Sequence, residues 1–157
     1  MPEQDALILK FLLTKQRVGT LAVLIDEKPF TGLLPFVSLP HFGAVIIQAS
    51  NLAKHTPGLV DGAPFSFLIH LPDDPKSDPL QLARVTLSGE VQKLPKDQAV
   101  YETAKSLYLE KFPFSVTIFP MPDFNLYALT VQQCRYIAGF GSIYSLSPEK
   151  LKELSET

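Results

Sequence analysis

The spacing of apolar residues changes period several times along the chain, and each change marks an element. Asp5 to Lys15 (DALILKFLLTK) carries Leu7, Ile8, Phe11 and Leu12 at helical spacing, with Leu9 and Leu13 widening the apolar face and Asp5 in the capping place. Arg17 to Ile25 (RVGTLAVLI) is apolar and β-branched. A short turn at Asp26-Glu27-Lys28-Pro29 follows, and Phe30 to Leu39 predicts the returning strand of a hairpin. Ala44 to Ala49 predicts a third strand. Phe65, Phe67, Ile69 and Leu71 alternate with Ser66, Leu68 and His70, the period of a half-buried strand. Gln81 to Leu94 puts Leu82, Arg84, Thr86 and Ser88 on one face and Ala83, Val85, Leu87 and Gly89 on the other, with Gly89 marking a bulge. Lys96 to Phe112 predicts an amphipathic helix through Val100, Ala104, Leu107 and Tyr108, stopped by Pro113. Phe124 to Val131 and Gln133 to Phe140 predict two further strands, the second closed by a turn at Gly139-Phe140-Gly141. Ser147-Pro148 then opens a terminal helix carrying Leu151 and Leu154.

Strands interrupted by a few helices, without regular β-α alternation, predict a β-rich fold (all-β or α+β). The architecture expected is an antiparallel or mixed barrel of about six or seven strands. The 157 residues suit one domain, and the acidic, proline-rich loop Pro72 to Pro79 reads as a surface excursion. A net charge of -2 without blocks of like charge argues against a nucleic-acid partner. The apolar runs are too short to span a membrane. Cys134, the sole cysteine, forms no internal disulfide, and the N-terminus lacks the pattern of a signal peptide, so a cytoplasmic protein is expected.

The stretch most suggestive of chemistry is Val45 to Leu59 (VIIQASNLAKHTPGL), where an apolar strand runs into Ser50, Lys54, His55 and Thr56. A strand feeding a helix start would aim free amides at one spot, with these side chains adding donors for a phosphate. The competing reading is a plain cap at Ser50 or Asn51, with Lys54 solvated and His55 structural. Pro57 limits any helix here to one short turn, or to a restart with Thr56 as cap. Elsewhere the familiar catalytic signatures are missing: no phosphate-binding glycine loop, no His-Glu-x-x-His, no Gly-x-Ser-x-Gly and no zinc-spaced Cys/His cluster. His41 and His70 read as structural, and the carboxylates Asp73, Asp74 and Asp78 sit in a loop without pairing as acid and base. Any catalysis would then be carried by a cofactor.

Taken in order, RVGTLAVL, PFTGLLPF, NLAKHTPGL, FSFLI, RVTLSG, YLEKFPFS and RYIAGFG resemble the FMN-binding split β-barrel family of pyridoxamine 5'-phosphate oxidase relatives, nearest its haem-utilisation-like branch. The resemblance implies a split β-barrel and a homodimer with FMN between subunits. Carried over by position, it implies phosphate contacts from Lys54 and His55 with Ser50 and Thr56 beside them. Gln48 and Ala49 fall at the end of the incoming strand, backbone contacts near Leu34, and Arg84 where the oxidase has a flavin-facing glutamine. The oxidase's arginine and lysine on the second flavin-contacting strand fall on Gly32 and Val37, and the related branch's asparagine on Gly58. Tyr108 and Pro113 match the oxidase's substrate segment, but its arginine there is Phe112, which argues against a vitamin-phosphate substrate.

Three functions follow as expectations. The first is an FMN-dependent oxidoreductase acting on a small-molecule substrate. The second is a non-enzymatic barrel, without flavin, serving as a binding or regulatory module. The third is a haem-binding or haem-degrading protein with His41, His55 or His70 as candidate ligand.

Overall fold

A computed structural model describes residues 1–157. In chain order the elements are α1 (Glu3–Lys15), β1 (Val18–Ile25), β2 (Lys28–Pro35), β3 (Val37–Ser38), β4 (Ala44–Ser50), β5 (Pro64–His70), β6 (Arg84–Lys93), α2 (Ala99–Lys111), β7 (Phe124–Gly139), β8 (Ser142–Leu146) and α3 (Pro148–Glu156). Single 3₁₀ turns lie at Thr56–Gly58, Pro79–Gln81 and Pro113–Thr117. Every strand pair is antiparallel, in the order β2-β1-β5-β6-β7-β4-β3, with β8 also on β7. The expected β-rich split barrel with peripheral helices is thus present.

The split is made by β7. One edge of this 16-residue strand pairs with β6 along its length. Its other edge is shared: Phe124 to Thr130 pair with β4, and Cys134 to Gly139 with β8. What reads in sequence as two strands is therefore one, kinked where the β6 register shifts between Ser88 and Gly89. The bulge expected at Gly89 is there, and a Cβ on Gly89 would lie 1.9 Å from the Thr130 carbonyl oxygen, so the backbones approach too closely for a side chain. Conversely, the strand expected from Phe30 to Leu39 is broken. It ends at Pro35, Phe36 turns wholly inward, and Val37–Ser38 pair with β4 instead of β1. The first hairpin turns on Asp26 and Glu27, at φ 51° and 63°, so Lys28 already belongs to β2.

The barrel interior is filled from alternate strand positions, among them Leu21, Val23, Val45, Ile47, Phe65, Phe67, Ile69, Val85, Leu87, Leu129 and Tyr136. Leu9, Leu12 and Leu13 of α1, with Leu151 and Leu154 of α3, join this core. The helix face differs from the one expected, since Leu7 and Phe11 are exposed. Asp5 is not a cap either: Pro2 holds that position, while Asp5 accepts from the Tyr144 hydroxyl at 2.6 Å and its backbone carbonyl accepts from Tyr136 at 3.0 Å. The capping expected at Ser147 is observed, its hydroxyl accepting from the Lys150 amide. A second core lies outside the barrel, where Tyr101, Ala104, Tyr108 and Phe112 cover Val37, Ala44, Ile46, Leu126 and Ala128. Strand β4 is consequently buried on both faces, which explains its unbroken Ala-Val-Ile-Ile run.

Lys111 joins these layers. Its Nζ donates to the Gln16 carbonyl at 2.5 Å and sits 4.3 Å from the centre of the Phe36 ring. Burial first, then the neighbouring charges of Arg17 and Lys15, push its pKa down to about 8. No helix is long and apolar enough to cross a membrane.

Candidate functional site

Strand β4 carries Gln48, Ala49 and Ser50 into the loop that holds Lys54, His55 and Thr56. The alternation places Ala49 in the barrel core and Gln48 on the α2 side, half-buried. Beyond Ser50 the chain forms turns and the single 3₁₀ turn at Thr56–Gly58, so there is no helix dipole aimed at an anion. The loop is stapled to the start of β7: the Asn51 amide donates to the Asp123 carbonyl at 2.8 Å, and the Asn125 side chain donates to Asn51 at 3.1 Å. It is also pressed onto β1 at Gly58, where a Cβ would fall 2.8 Å from Val23.

Most of the loop's polar groups are spent on the loop itself. The Ser50 hydroxyl donates to an Asp123 carboxylate oxygen at 3.2 Å and accepts from the Leu52 amide at 3.1 Å. The Thr56 hydroxyl donates to the Ser50 carbonyl at 2.5 Å. The Ala53 and Thr56 amides bond to the Ser50 and Ala53 carbonyls. The adjacent pair in sequence then parts company. Lys54 is exposed and makes no ion pair or hydrogen bond, whereas His55 turns inward over Gly32, where a Cβ would meet its Nδ1 at 3.4 Å. Its Nε2 is buried without a partner, and burial holds its pKa below the ordinary imidazole value. A phosphate dianion placed here meets one free cation, a neutral imidazole and the Asp123 carboxylate, so the residues present fit that group poorly.

Lys54 borders a hollow of about 490 Å³ lined with Ile25, Asp26, Lys28, Pro29 and Phe30. Leu34 lies two residues beyond Gly32 on the same face of β2 and packs against the barrel core. Arg84 stands apart. The loop rests on β1 at Val23, which faces Phe65 and through it Gly89, whereas Arg84 pairs with His70 at the other end of β6. Five strand positions separate Gly89 from Arg84, roughly 17 Å. Arg84 is fixed by its own segment, its guanidinium donating to the carbonyls of Leu82 at 2.8 Å and Leu80 at 3.5 Å. The structure therefore gathers Ser50, Lys54, His55 and Thr56 at one end, with Gln48 and Ala49 behind them, whereas Leu34, paired with Gly19, lies toward the end that holds Arg84. Nothing in the sequence points to Asp123 and Asn125, because 73 positions separate Ser50 from Asp123, and only the β4–β7 register brings them to the loop. Tyr108, which matches the substrate segment, and Phe112, which stands where the oxidase has arginine, are buried in the second core.

Eight antiparallel strands, split about β7 and flanked by α1, α2 and α3, define a split β-barrel of the pyridoxamine 5'-phosphate oxidase type. The chain belongs to the CREG β-barrel family, whose sequence profile matches residues 2–152. Among solved structures it is similar to a haem-binding protein from Mycobacterium smegmatis, at 26% identity and TM-score 0.83, over 98% of this chain and 62% of that one. It is also similar to HutZ, the haem storage protein of Vibrio cholerae, at 18% identity and TM-score 0.70, over 80% of this chain and 89% of that one. A third, the FAD- and haem-binding protein of Mycobacterium smegmatis, has 18% identity and TM-score 0.62, over 89% of this chain and 69% of that one. At 18% identity the last two likenesses concern the fold alone. No curated protein sequence matches the chain significantly.

Proposed function

We propose that this chain is a haem-binding split-barrel protein whose residues 1–157 work as one domain, and that it binds without a catalytic FMN. The observation that carries the reading is the loop after β4. Ser50 and Thr56 are committed to internal hydrogen bonds, His55 is neutral and turned inward, and the Asp123 carboxylate stands beside Ser50. The likeness to the haem-binding protein of Mycobacterium smegmatis supports haem as the ligand, although the chain spans 62% of that protein's length. A homodimer in which a second copy covers the helix-free outer face of the sheet belongs to the same proposal. That face presents Thr20, Ser66, Thr86 and Ser88, half-buried and without side-chain hydrogen bonds within the chain.

Specific observations favour a second reading. Lys54 and Lys28 border the same hollow as Phe30, which suits a flat ring with an anionic tail. In that reading FMN contacts Leu34, Gln48, Ala49, Ser50, Lys54, His55 and Thr56, with Arg84 contributed from another copy of the chain. Titration of the purified chain with haem and, separately, with FMN distinguishes the two. A saturable Soret band with unquenched flavin fluorescence is expected. Stoichiometric flavin quenching, abolished by replacing Lys54 and His55 together with alanine, would establish the second reading and overturn the first.

A further inference from the structure

Positive charge gathers where the C-terminal ends of α1 and α2 meet. Lys15 ends α1, Lys111 ends α2, and Arg17 immediately precedes β1. The Lys111 ammonium donates to the Gln16 carbonyl at 2.5 Å and lies 4.3 Å from the centre of the Phe36 ring. The Arg17 guanidinium carbon and the Lys111 nitrogen are 5.4 and 5.7 Å from the centre of the Phe112 ring, so one ring carries both charges. Phe36 belongs to the barrel core and Phe112 to the second core, so neither anchor lies on the sheet face assigned to a second copy. The Lys54 loop is elsewhere, resting on β1 at Val23, near the strand's other end.

No acid balances these charges. The only ion pair in the chain joins Lys150 to Glu153, and Glu110, next to Lys111 on α2, is exposed and pairs with no cation. The charges acting on Lys111 are those of Arg17 and Lys15, and both push its pKa down. The groups packed around it are neutral: Phe36 and Phe112 carry no charge, and the Tyr108 hydroxyl, on a ring 5.1 Å from that of Phe112, is pushed up to about 12 by burial. The two helix ends supply roughly half a negative charge each, which offsets about one of the three positive charges. The excess stands on a chain whose net charge is -2. Donors are also left over. An ammonium has three N–H groups and Lys111 gives one to Gln16, while the Arg17 and Lys15 side chains make no hydrogen bond within the chain. Unspent N–H donors in an uncompensated positive field suit a small oxyanion, which needs no deep cavity to be held.

We infer that Lys111, Arg17 and Lys15 form a binding site for a small dianionic oxyanion, sulfate or inorganic phosphate, at the meeting of α1 and α2. The site is independent of which cofactor the chain takes. A bound dianion favours the charged form of Lys111, so affinity falls as pH rises through about 8, where the free amine loses its proton. Sulfate is the probe, because its own charge is constant over that range. Titration of the full-length chain with sulfate, followed by the backbone amide resonances, should give saturable shifts centred on Gln16, Arg17 and Lys111, with a dissociation constant on the order of millimolar. Binding should weaken about fivefold between about pH 7 and about pH 9. Lys111→Met and Arg17→Gln should each weaken it by about tenfold. Lys111→Arg should keep the binding and lose the pH dependence, since a guanidinium stays charged throughout. Lys54→Ala should match wild type. The absence of saturable shifts at these amides would overturn the site, as would binding that is flat in pH or unchanged in both Lys111→Met and Arg17→Gln.

Discussion

His55 owes its neutral state to its neighbours, not to its place beside Lys54. Gly32 leaves room for the imidazole, Gly58 draws the loop onto Val23, and the buried Nε2 finds no acceptor or donor. The lowered pKa means that, as pH falls through the ordinary value of 6.5, the unfolded chain takes up a proton that the folded chain refuses. The sign is therefore a loss of stability on acidification. In His55→Leu that contribution is gone, so the variant should gain on the wild type when urea unfolding is measured at about pH 5.5 and compared with about pH 7.5. An equal stability difference at both pH values would show that His55 is not held neutral. The Lys-His pair was legible in the sequence as a candidate anion contact. The opposite fates of its members were not, because they depend on β1 and β2 residues more than twenty positions away.

Strand assignments read well wherever one face is buried and the other wet, as in β5 and β6, since the period of two is then written directly in the residues. Reading was harder where both faces are covered or a strand changes partner. Strand β8 (SIYSL) was hidden behind the Gly139–Gly141 turn, and β7 read as two strands because the exposed Gln132 and Gln133 interrupt its apolar pattern. The buried face of α1 is hard to read for a related reason. In α1 apolar residues occur nearly all round, so the sequence cannot say which stripe meets the barrel, and Leu7 and Phe11 are left outside. The bulge at Gly89 was legible because glycine in a strand usually marks a close approach. Adding a methyl group there drives it into the Thr130 carbonyl. Gly89→Ala should therefore cost about 1–3 kcal/mol or more, seen as a lower thermal midpoint. An unchanged midpoint would mean that β6 and β7 can part locally without penalty.

At the scale of the molecule, Lys111 couples α2 to the end of α1 and to the break between β2 and β3. Its proton is lost near pH 8 in the folded chain and at the ordinary value of 10.5 when unfolded, so between those values the unfolded chain holds more protons. Stability contributed by this group rises with pH across that window. The wild type should accordingly gain on Lys111→Met in chemical unfolding as pH rises from about 8 to about 10, and a flat difference would count against a buried amine. The sharing of β7 between two partners has a further consequence, for a chain emerging from the ribosome. Strands β1, β2, β5 and β6 can pair among themselves before the C-terminal third is made. The greasy β4 leaves the exit tunnel early with only β3 to pair with, and residues 51–123 must be translated before its long partner begins. A nascent chain stalled in that interval therefore exposes one adhesive segment, Ala44–Ser50, that holdase chaperones would be expected to grip.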